Sequence, residues 1–126
     1  MKGVKMSTRC NLLIRHQGIQ VCLYHHHDGY PEGVGAELCE IFFDRFTKKD
    51  SAPFYLDGVV NSLIKNYQGY EWSSALHGDI EYLYTVDLER RTIICEEVNN
   101  WEELKIGKKI NMIEWYKRQQ AQEAEV

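Results

Sequence analysis

The hydrophobic positions change period along the chain, and the changes mark out its elements. From Cys10 to His27 apolar and polar residues alternate around Gln17-Gly18, with Cys10, Leu12, Ile14, Ile19, Val21 and Leu23 as the apolar set. A period of two on either side of a glycine-containing pair predicts a β-hairpin. With a two-residue loop, paired positions sum to 35, so Ile14 faces Val21, Leu12 faces Leu23 and Cys10 faces His25. The histidines therefore begin where the apolar face ends.

Asp28-Gly29-Tyr30-Pro31 carries turn chemistry, and Pro31 biases Tyr30 away from the helical region. Beyond it Val34, Leu38, Ile41, Phe42 and Arg45 share one stripe at helical spacing, which predicts an amphipathic helix from about Gly33 to Phe46, ended by the polar run Lys48 to Pro53. A second helix is expected from Asp57, as N-cap, to Asn66 through Val60, Leu63, Ile64 and Tyr67. A loop follows to His77. Ile80, Tyr82, Tyr84, Val86 and Leu88 then alternate as a strand, and Glu89-Arg90-Arg91 turns it into a partner from Thr92 to Val98. Asn99-Asn100 is expected to break that strand. Ile106, Ile110 and Ile113 fit a last helix over about Lys109 to Gln120. The expected fold is α+β, a single domain over 1–126 with fraying at 1–7 and 119–126. Its four-stranded, mainly antiparallel sheet is packed on helices in the order β-β-α-α-β-β-α.

Composition sets the class. The 126 residues are 44% hydrophobic and 12% aromatic, enough for an ordinary core. A chain of this size buries about two-thirds of its unfolded surface. With 15 Lys+Arg against 19 Asp+Glu the formal charge is −4, which argues against general nucleic-acid binding. No apolar run approaches the ~18 residues of a membrane span, and nothing resembles a signal core after the first lysines, so no membrane association and a cytoplasmic location are expected. Cys10, Cys22, Cys39 and Cys95 form no C-x-x-C pair. Buried, reduced thiols are the expected state.

The unusual segment is Tyr24 to Gly35, which places His25, His26, His27 and Asp28 where a strand ends and a helix begins. Strand-end loops are where rigid folds present function. On an extended backbone His25 and His27 point to one side. A ligand-binding corner is expected from His25, His27, Asp28, Tyr30, Gly33 and Gly35, with helix-start N–H groups aimed at a small anion, nucleotide-like if Tyr30 stacks. Asp28 and Glu32 oppose an anion. The alternative is a divalent metal held by His25, His27 and Asp28, completed by His77 and Asp79. Histidines at a sheet edge also commonly satisfy backbone carbonyls, which is the plainer explanation of the run. Cys10 opposite His25 has the pairing of a nucleophile with its base, but no third orienting group is evident, and no catalytic residue is assigned. Tyr82, Tyr84 and Trp115 are assigned to packing.

The stretch from Ser7-Thr8-Arg9 through His25-His26-His27-Asp28-Gly29-Tyr30-Pro31-Glu32-Gly33 resembles the opening of small proteins of phages, prophages and their bacterial hosts. In those, a Ser-Thr-Arg start precedes a hairpin and an H-x-D-G-Y-P-E segment. The resemblance covers about the first third of the chain and brings no activity with it. It implies a phage-type accessory role, binding either a small anionic ligand or a host protein. A metal-dependent hydrolase or nuclease is the competing class. A third is a homo-oligomer joined through the aromatic stretch Tyr67 to Trp72.

Overall fold

In a computed structural model the protein is described over residues 7–48, 52–100 and 105–124. The chain runs β1 (Cys10–His16), β2 (Ile19–His25), a π-helical turn (Pro31–Gly35), α1 (Ala36–Thr47), α2 (Leu56–Asn66) and β3 (Tyr70–Trp72). It continues through β4 (Tyr82–Asp87), β5 (Thr92–Asn100), β6 (Lys105–Asn111) and α3 (Met112–Ala124). The α+β class stands. The sheet has six strands rather than four, in the order β3-β2-β1-β4-β5-β6.

The hairpin has the register its spacing predicts, with Cys10 opposite His25, Leu12 opposite Leu23 and Ile14 opposite Val21. Gln17 and Gly18 both have positive φ, 51° and 79°, the conformation whose twist matches the two strands. β1 pairs on its other side with β4 in parallel, Leu12 against Tyr84 and Ile14 against Val86, so the sheet is mixed. A parallel neighbour needs a long crossover, and the helices α1 and α2 supply it.

β1 thereby becomes central, and Cys10 to Ile14 are all buried, including the polar Asn11. The alternate residues Cys10, Leu12, Ile14, Leu23, Tyr84, Val86, Ile93 and Cys95 face the helices and form the core with Leu38, Phe42, Phe46, Val60, Leu63 and Met112. The other face of β1 and β2 is crossed by residues 73–79. Ser73 donates its N–H to the Cys22 carbonyl (3.1 Å), and His77 donates its N–H to Asn11 Oδ1 (2.7 Å).

Several boundaries differ from the expectations. α1 begins at Ala36, because Gly33 N–H bonds Tyr30 and Val34 N–H reaches back to the Asp28 carbonyl at 2.8 Å, widening the first turn. α2 starts at Leu56 with Tyr55 in the cap position, and Asp57 lies inside the first turn. Tyr70–Trp72, expected as loop, adds a short antiparallel strand to the end of β2. The segment from Lys105 to Asn111 is a strand, and Asn99-Asn100 does not break β5. Ile110 stands opposite Cys95, so pairing with the open edge of β5 overrides the helical spacing of the isoleucines. Asn111 then caps α3 by accepting the Glu114 N–H at 3.2 Å, and the helix continues to Ala124 where fraying was expected. Residues 1–6, 125 and 126, named in the same expectation, lie outside the described residues, as do 49–51 in the run that ends α1. Among the described residues no helix is long and apolar enough to cross a membrane.

Candidate functional site

The strand-to-helix corner is built on two close backbone approaches. Gly29 donates its N–H to the Thr8 carbonyl (2.9 Å), and the Gly29 carbonyl accepts the Tyr84 hydroxyl (2.8 Å). A Cβ at Gly29 would lie 2.8 Å from the Thr8 oxygen, and one at Gly33 would lie 2.2 Å from the Asp28 oxygen. Both glycines are therefore required by packing. Asp28 between them has φ 56°. Part of the distinctive segment is thus a structural joint between the hairpin and α1.

At this joint a cleft of about 590 Å³ opens between the end of β2, the π-helical turn, the start of α1 and the loop before β3. His25, His27, Asp28 and Gly33 line it, and the structure adds Glu37, Gln68 and Gly69. Glu37 was not singled out from the sequence, since in helical periodicity it lies off the apolar stripe. Its Oε1 accepts the hydroxyl of buried Tyr70 at 2.7 Å, and burial, with this bond second, pushes that phenol well up. Asp28 Oδ1 accepts the Tyr30 hydroxyl at 3.2 Å.

The histidines divide. His25 places Nδ1 2.5 Å from the His27 carbonyl oxygen and Nε2 2.9 Å from that of Gln68, with its ring edge-on to Tyr70. Both nitrogens face backbone carbonyl oxygens, so neither is open to a metal. His27 is exposed and meets His26 edge-on at 4.7 Å. Gly35 does not reach the cleft: a Cβ there would strike Met112 and Tyr84 in the core.

The expected metal set is split by the sheet. His25 faces the helical side, whereas His77 lies on the opposite side, its ring stacked on Tyr24 with centroids 3.8 Å apart and planes 11° from parallel. Asp79 pairs with Arg9 at 3.3 Å. Among the described residues no three of His, Cys, Asp and Glu assemble as a metal site. Alternation along β2 explains the separation, since adjacent residues Tyr24 and His25 point to opposite faces.

That opposite face holds a cluster the sequence reading missed. The Tyr24 hydroxyl lies 2.8 Å from His26 Nδ1, and burial pushes the phenol up. Asn11, fully buried, bonds the Leu23 carbonyl (2.8 Å) and fastens the His77 backbone. An asparagine inside an otherwise apolar strand was the available signal.

The cysteines behave as packing groups. All four are free thiols. Burial pushes Cys10 far up, and pushes Cys39 and Cys95 up to about 12, which keeps these sulfurs protonated and non-nucleophilic at neutral pH. The Cys10 and His25 pair exists in register only, because both nitrogens of His25 serve carbonyls. Of the aromatic stretch, Tyr70 is buried, Tyr67 is half-buried and Trp72 is exposed, which is less apolar surface than the oligomer reading assumed.

No protein-family model matches the chain, and no curated protein and no solved structure shows a significant match to it.

Proposed function

We propose that the protein is a binding module that takes a small polar molecule in the corner cleft. The observation that carries this reading is the convergence of Asp28, Glu37 and His27 on one cleft of about 590 Å³, within the size range of small-molecule sites. The lining favours a ligand rich in hydrogen-bond donors, a polyol or an amine, over the anion expected from helix-start N–H groups. The N–H groups of Gly33 and Val34 are already bonded internally, and Glu37 adds a second carboxylate to Asp28. Backbone joints at Gly29 and Gly33 hold the site rigid, which lowers the ordering cost of binding.

The resemblance of residues 7–33 to phage and prophage proteins supports an accessory role for such a module. A host protein docking on the same corner is the competing occupant, and the test separates the two. Titration of labelled protein with a panel of small polyols and amines, followed by amide shifts, should move His27, Gly33, Gln68 and Gly69. Glu37→Gln and His27→Ala should each weaken the response at least tenfold. Shifts confined to other parts of the sheet, or none up to millimolar concentration, would reject a small-molecule site here and leave the host protein.

A further inference from the structure

On the other side of the π-helical turn a second cleft, about 510 Å³, lies between Pro31-Glu32, the outer strand β6 and α3. It is separate from the corner cleft, and its chemistry is different. Lys108, Lys109 and Arg118 line it together with Trp115. Asn111 caps α3 directly after β6, which folds the helix back on the core through Met112 and Ile113. The fold-back brings Arg118 to the same cleft as Lys108. β6 is the outermost strand, and residues 108–111 of it line the cleft.

Among the described residues none of the ion pairs engages these three cations, whereas the neighbouring Lys117 is paired with Glu114 at 3.5 Å. Glu32 and Glu97 also line the cleft, so three cations face two carboxylates, an excess of +1 in a chain whose formal net charge is −4. Cations gathered around a concave site next to an indole suit a ligand with an anionic end and a planar ring. The two carboxylates are placed to accept from sugar hydroxyls or a ring amino group.

We propose that this cleft is a mononucleotide-class site, with Lys108, Lys109 and Arg118 on the phosphate and Trp115 against the base. Arg118 supplies a planar guanidinium fork for phosphate oxygens, and the lysines add charge. Trp115 is half-buried against the core, and the part of its indole that lines the cleft would meet the base.

The test is calorimetric titration at low ionic strength with adenosine monophosphate, inorganic phosphate and adenosine. The monophosphate should bind, with phosphate alone and adenosine alone each at least tenfold weaker. The double variant Lys108→Gln/Arg118→Gln should raise Kd at least tenfold, with Lys108→Glu as a second, charge-reversed variant. Lys65→Gln, at an exposed position of α2, should match the wild type. Added salt should weaken binding in the wild type more than in the double variant, because screening acts on the charges removed. Absence of binding at millimolar nucleotide would overturn the proposal. So would an unchanged Kd in folded cation variants, or phosphate binding as tightly as the nucleotide. Loss of nucleotide binding in His27→Ala with none in the cation variants would assign the ligand to the corner instead.

Discussion

The ring of His25 bridges two backbone segments, with Nε2 2.9 Å from the Gln68 carbonyl oxygen and Nδ1 on that of His27. The contact ties the loop after α2 to the end of β2 and gives the corner cleft its wall. His25→Ala should therefore cost about 1–3 kcal/mol in chemical denaturation and speed amide exchange at Gly69 and Tyr70. His27→Ala, at an exposed position, should stay within about 0.5 kcal/mol. Equal effects of the two substitutions would mean that the bridge does not hold the loop.

Gly33→Ala should destabilise the fold, because the added methyl meets backbone, the Asp28 carbonyl, which cannot swing aside as a side chain does. Overpacking of this kind costs about 1–3 kcal/mol. Thermal melts of the variant beside Gly58→Ala, whose Cβ has its nearest neighbour at 3.9 Å, check the expectation.

Asn11→Leu should be costly although it places an apolar residue in a buried strand. It strips partners from the Leu23 carbonyl and the His77 N–H. Losing the buried bond to the Leu23 carbonyl costs about 1–3 kcal/mol. The loop over residues 73–79 should detach, visible as loss of the His77 ring contacts with Tyr24 in proton spectra.

Stability should fall as pH rises above about 9. Cys39 and Cys95 are raised from the ordinary 9.0 to about 12, and Cys10 further, so the folded state keeps protons that the unfolded chain releases. The stabilisation is complete below the unfolded pKa and is lost through the window from about 9 to 12. Each thiol contributes up to about 1.4 kcal/mol per pH unit. Urea melts at pH 7, 9 and 10 test the slope. Reductant at pH 7 should leave Tm unchanged, since the four thiols are free.

How much was legible in the sequence depends on the range of the interactions involved. The β1–β2 register, the amphipathic stripe through Leu38 and Phe42 and the β4–β5 pairing were readable because each follows from near neighbours and a local period. That His25, His27, Asp28 and Gly33 lie at one strand-to-helix corner was visible too, since turn residues beside histidines are a local signal. Tertiary structure alone decided that β1 lies parallel to β4, that 105–111 pairs with β5 instead of coiling, and that Tyr70–Trp72 extends the sheet. In each case backbone groups were satisfied by partners distant in sequence, and local propensity yielded to them. The same distance effect sorted the histidines: His25 went to carbonyls at Gln68 and His27, and His77 to the ring of Tyr24. Glu37, Lys108 and Arg118 came to line clefts only once separate elements were folded around them.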